Sequence, residues 1–421
     1  MRLSHVGWSL GGLVLPLGVA AVTVPHLVAS LGQERFGLLA LAWGLIGYAR
    51  AMDLGLGRAL TQLVSRMLGE KNLAAIPDAL ATAGKVTLFS GVAGGALIAA
   101  TALCGGYRWV HVADTPQGEV LAAMLLLAIA LPAQAMSGTY RGLNEAFLNF
   151  KGTSLLRAAL GAVNFAGPFA VSFFTIKLPW LVATLVVSRM IALVVYRWLA
   201  VRCLASEAQT RRAGRYSKAV ARALFSFGGW VTVSSLVSPV LVQADRFVIA
   251  SSISAAAVAV YVLPYEVLVQ CLVLVGAVAS VMFPGLSKLV HESPQKWRAY
   301  FDKWFVRVVA LMAVVCGALA ALLPTILPLW IKGRLDPVSV SIGQVLCLGV
   351  FANAIGAMFY ALLHAQGRSS VTAKLHLVEL PLFLLALSTL VAGCGVMGAA
   401  YAWVCRMIFD SVALALLARR S

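Results

Sequence analysis

Twelve apolar stretches, each long enough to cross a bilayer as a helix, follow one another along this chain, and that succession decides its fold class. Crossing the hydrocarbon core takes about 20 mostly apolar residues, and only a helix satisfies its own backbone polar groups inside one such segment. The stretches fall at residues 7–30, 36–58, 82–104, 119–139, 154–176, 179–199, 225–250, 257–284, 304–329, 339–363, 375–393 and 396–417. Only 11% of residues are charged, against roughly 25% in soluble domains. The expected fold is therefore all-α: a polytopic membrane protein of twelve transmembrane helices in two six-helix lobes around a central cavity.

The basic residues give the orientation. With both termini placed in the cytoplasm, 23 of the 33 Lys and Arg residues fall in inner loops and tails, 5 in outer loops and 5 within spans. Cytoplasmic loops carry an excess of Lys and Arg in multi-pass proteins, so this asymmetry predicts cytoplasmic termini. It also disposes of nucleic acid as a partner: the net charge of +18 faces the cytoplasm and anionic headgroups instead. Arg2 ahead of an apolar run imitates a signal peptide, but the run is long and holds Pro16, so an uncleaved first span is expected.

The longest polar run, ASEAQTRRAGRYSK, lies in the basic loop from Arg197 to Arg222 near the midpoint. It predicts an N-terminal lobe over 1–205, a linker over 206–222 and a C-terminal lobe over 223–421. A shift of 222 residues aligns Ser4 with Ser226, Gly7 with Gly229 and Trp8 with Trp230, a faint sign of duplication. An even number of spans per half would relate the two lobes by an axis along the membrane normal.

Chemistry is sought in the few ionisable residues that spans contain, since each costs about 2.5–3.5 kcal/mol at mid-membrane and is expected to face an interior or a wet cavity. Four arginines qualify as binders of an anionic substrate: Arg50, Arg58, Arg189 and Arg246. Arg50 and Asp53, three apart, share a helix face, whereas Arg58 can also snorkel to the interface. Arg189 has no acid on its own helix and needs a partner from another span, water or a ligand. Asp245 and Arg246 follow Pro239, which invites a bend. Asp53, Asp245, Glu266 and Glu379 are the candidate ion-coupling groups, because low dielectric disfavours an ionised carboxyl and lets it carry a proton. Arg406 and Asp410, at i and i+4, read as a structural pair that locks packing. Asn164, Asn353 and Gln134 are equally consistent with helix-to-helix hydrogen bonds and substrate contacts. No metal site or cofactor is expected, since the seven cysteines show no CxxC spacing and His26, His364 and His376 are scattered.

Four segments carry a resemblance to a known family: FGLLALAWGLIGYARAMDLGLGRALTQ from Phe36, ADRFVIASSISAAAVAVYVLPYEV from Ala244, VMFPGLSKL from Val281 and LLHAQGRSSVTAKLHLVELPLFL from Leu362. They are similar to the polysaccharide-exporter, or O-antigen flippase, family of the multidrug/oligosaccharidyl-lipid/polysaccharide exporter superfamily. The resemblance covers nearly the whole chain. It implies a transporter that moves an undecaprenyl-diphosphate-linked oligosaccharide from the inner to the outer leaflet of the bacterial inner membrane by alternating access. Protons or sodium ions would be coupled to that movement, with membrane lipids and other proteins of polysaccharide assembly as further partners. It also implies that the first two spans of each lobe line the cavity, which puts Arg50, Asp53, Arg58, Asp245, Arg246 and Glu266 on the substrate path.

Two other readings stay open. A cation-coupled multidrug antiporter of the same superfamily often carries an acid on its first span, where this chain has only His26. A membrane-embedded enzyme would need catalytic groups at an outer loop, and Glu34, Asp114, Glu119 and Asp336 have no adjacent partner there.

Overall fold

The computed structural model describes residues 3–48, 53, 55–206, 214–292, 294–331 and 336–419. Helices succeed one another throughout: α1 (Leu3–Tyr48), α2 (Leu56–Gly69), α3 (Ile76–Leu103), α4 (Gln117–Ala146), α5 (Phe150–Ser172), α6 (Leu178–Ser206) and α7 (Lys218–Ser252). After them come α8 (Ala255–Val269), α9 (Leu272–Glu292), α10 (Pro294–Trp330), α11 (Val338–Ala365), α12 (Ser369–Cys394) and α13 (Val396–Arg419).

Among the described residues, ten segments are long and apolar enough to cross a membrane, so the chain is a multi-pass all-α membrane protein. The first of them, Leu15–Gly47, is bent where Gly32 leaves helical geometry at φ 75°. The two legs of α1 hold the first predicted span and the first part of the second, 36–48, while α7 covers the seventh.

The second predicted span, 36–58, is interrupted: α2 begins at Leu56 after a left-handed Gly55, φ 69°. The break has a local cause: Asp53 Oδ1 accepts the Gly55 amide at 2.8 Å, a side-chain bond that competes with helical pairing. Beyond the break α2 is amphipathic. Leu56, Ala59, Leu60 and Val64 are buried on one face, and Arg58 and Arg66 are exposed on the other. The eighth predicted span, 257–284, is likewise divided, between α8 and α9 at Gln270 and Cys271.

The described contacts form two compact units, Met1–Gln243 and Ala244–Ser421. In the first, α4 packs against α2, α3 and α6. Small residues make this possible. A Cβ on Gly142 would collide with the backbone of Gly57, and Thr61 Oγ1 bridges the same crossing by donating to the Gly142 carbonyl at 2.9 Å. In lipid, where helices gain no hydrophobic drive to associate, close backbone approach of this kind supplies the packing. In the second unit, α11 lies against α8, α10 and α13, and α12 against α13. Trp403 fills the space above Gly349 where a side chain would otherwise sit.

Candidate functional site

In the first unit the buried arginine stands on α6, against α5. Arg189 is buried on α6 and donates through Nη2 to Oδ1 of Asn164 on α5. The backbone carbonyl of Asn164 in turn accepts Trp43 Nε1 at 3.1 Å, which ties the second leg of α1 to the same place. The partner that Arg189 lacks on its own helix thus includes a neutral amide on the preceding span. An amide acceptor orients a guanidinium without cancelling its charge.

Asp53 lies half-buried in the break before α2, and a Cβ on Gly138 would stand 2.6 Å from its Oδ2. Arg58 is exposed on α2, and Arg50 falls outside the described residues.

A second cluster occupies the start of the second unit. Arg246 Nη2 donates to Glu266 Oε1 at 2.5 Å, and its guanidinium lies over the Tyr265 ring, 5.6 Å from the centroid. Asp245 does not receive that guanidinium. Its Oδ1 accepts the Arg246 backbone amide at 2.8 Å, and its Oδ2 accepts the Tyr261 hydroxyl at 2.7 Å. Tyr261 and Tyr265 stack with centroids 5.6 Å apart, and Tyr265 meets Trp403 edge-on at 5.5 Å. The tyrosines were not singled out in the sequence, although their spacing of four puts them on one face of α8 with the face turned to α7 and α13.

A third cluster joins α12 to α13. Arg406 Nε stands 3.7 Å from Glu379 Oε2, and its guanidinium lies over Phe383 at 5.2 Å. His376, Glu379 and Asp410 each bring one ligand-capable atom within 4.8 Å of the others. His376 is thus grouped with two acids. The spacings could have suggested it: His376 and Glu379 are one helical turn apart, as are Arg406 and Asp410.

A helical membrane bundle that sequesters guanidinium and carboxylate groups in its interior, each held by polar or ionic neighbours, has the build of a membrane transporter. Its fold is shared with such proteins. A multidrug-resistance MATE-family transporter of the MOP superfamily, solved in its inward-facing conformation, superposes with a TM-score of 0.78 at 14% identity, covering 98% of this chain and 97% of that one. A MOP superfamily transporter from Pyrococcus furiosus superposes with a TM-score of 0.65 at 13% identity, covering 99% and 94%.

The chain belongs to the polysaccharide biosynthesis protein family, whose model matches residues 3–290. A presumptive O-antigen transporter of Shigella flexneri is 28% identical over 409 residues, 97% of this chain and 95% of that protein.

Proposed function

We propose that this protein is a flippase that carries undecaprenyl-diphosphate-linked oligosaccharide repeat units from the cytoplasmic to the periplasmic leaflet of the bacterial inner membrane by ion-coupled alternating access. The observation that carries the reading is the pair of buried guanidiniums, Arg189 and Arg246, inside a chain of the polysaccharide biosynthesis protein family. A diphosphate is recognised by guanidinium forks, and burying such cations is costly unless an anion repays it.

Arg246 suits a transient anion because its partner is half exposed. Its own side chain is 4% exposed, whereas that of Glu266 is 45% exposed. A carboxylate at the edge of the interior can turn toward water and leave the cation to an incoming diphosphate. The glycan stays in a hydrated path while the prenyl tail remains among helices.

Cross-complementation tests this: strains lacking their own flippase and making different glycans are supplied with this gene and scored for surface polysaccharide. Restoration in at least one supports the reading. Failure in all of them, with the protein present in the membrane, removes it. The shared fold keeps a multidrug antiporter as the second reading, and dye efflux abolished by collapsing the proton gradient would favour that one.

A further inference from the structure

Glu379 is 1% exposed, and neither of its carboxylate oxygens meets a hydrogen-bond donor among the described residues. Oδ1 of Asp410 is in the same condition. The Arg406 Nε at 3.7 Å from Glu379 lies beyond hydrogen-bond reach. A buried ionised carboxylate without donors is among the costliest groups a protein can hold, and a second carboxylate beside it makes matters worse. Something must supply the missing donor.

We propose that Glu379 and Asp410 share one exchangeable proton, passed to and from water through His376, and that this is the coupling proton of the transport cycle. A proton on either acid makes it a donor toward the other, whose ligand-capable oxygen lies within 4.8 Å. It also balances charge. One proton leaves the pair at −1, offset by Arg406, with His376 neutral. When the proton moves to the imidazole, the pair becomes −2 while His376 and Arg406 sum to +2, so the cluster is neutral in both states.

The groups packed around it fit this role. From α13 come Arg406 and Asp410. From α11 comes Tyr360, whose ring lies parallel to that of His376 with centroids 6.4 Å apart and stacks on His364 at 4.1 Å. His364 is itself within 3.3 Å of the Thr372 hydroxyl on α12. A sodium ion would also balance the charge. Three protein ligands, one of them an imidazole, are a poor set for a hard cation that prefers a shell of oxygens, and the Arg406 guanidinium beside them repels it.

The coupling role rests on the transport reading above; the shared proton does not. The test uses infrared difference spectroscopy on the purified full chain in lipid nanodiscs at neutral pH. The expected result is a protonated carboxyl C=O band that shifts in deuterated water and disappears in both E379Q and D410N. An amide in place of the protonated acid keeps its shape and its donor, so each variant is expected to fold. H376Q is expected to retain the band and slow its exchange with deuterium. In the complementation assay, E379Q and D410N are expected to lose surface polysaccharide at least tenfold.

Absence of a band sensitive to these two substitutions, or its removal by sodium at constant pH, overturns the shared proton. Loss of the band with wild-type polysaccharide export overturns the coupling role. If the unaltered chain itself fails to complement while the band behaves as expected, the flippase reading falls and the proton site stands.

Discussion

Arg246 donates to Glu266 at 2.5 Å across a sharp gradient of burial, with the cation sealed and the carboxylate half open. An ion pair of this kind holds its cation ready while keeping one partner free to leave.

Glu266→Gln is expected to lower stability by about 2 kcal/mol, because the Arg246 guanidinium loses a charged acceptor and stays buried. Thermal unfolding of the detergent-solubilised protein measures it. A melting temperature equal to that of the unaltered chain would show that the pair contributes nothing.

Asn164→Ala removes the side-chain acceptor of Arg189 but keeps the backbone carbonyl that receives Trp43, so its effect reports on the arginine. A charge-assisted hydrogen bond is worth about 1.5–3 kcal/mol, or roughly tenfold or more in an equilibrium. Surface polysaccharide in the complementation assay is expected to fall by that order, and Asn164→Asp, which restores an acceptor, to recover stability. Equal stability in the two variants would count against the assignment.

Gly142→Ala places a methyl group against the Gly57 backbone, which cannot rotate away. Overpacking of this sort costs about 1–3 kcal/mol. Gly118→Ala, near the start of the same helix and with open space around it, is the control. The expected outcome is a reduced folded yield for the first on size-exclusion chromatography and a normal yield for the second.

Glu34 accepts the amides of Ala113 at 2.6 Å and Thr115 at 2.6 Å, and of Asp114 at 3.2 Å, and so pins the segment between α3 and α4 to the bend in α1. Glu34→Ala is expected to free these three amides and speed their hydrogen exchange, with little change in the amides of α4. Unchanged exchange at residues 113–115 would mean that the segment is held by other means.

The polysaccharide-exporter resemblance was legible because it resides in contiguous segments such as that from Ala244 to Val267, and the family match over residues 3–290 rests on the same kind of local order. The break before α2 was less so. Asp53 and Gly55 sit in a run apolar enough to pass for one span, and the turn emerges only once the Asp53 side chain is seen to bond the Gly55 amide.

By itself the sequence determined that the chain lies in membrane as a succession of helices, since apolar length is a local property and only a helix pairs a spanning backbone within one segment of about 20 apolar residues. Tertiary structure decided the partners of each buried charge. Arg189 finds Asn164, Arg246 finds Glu266 rather than its neighbour Asp245, and Glu379 is brought to Arg406, Asp410 and His376. These pairings depend on how helices rotate and cross, which is set by close contacts such as Gly142 on Gly57 and Gly349 beneath Trp403, and hydropathy along a chain holds no record of rotation.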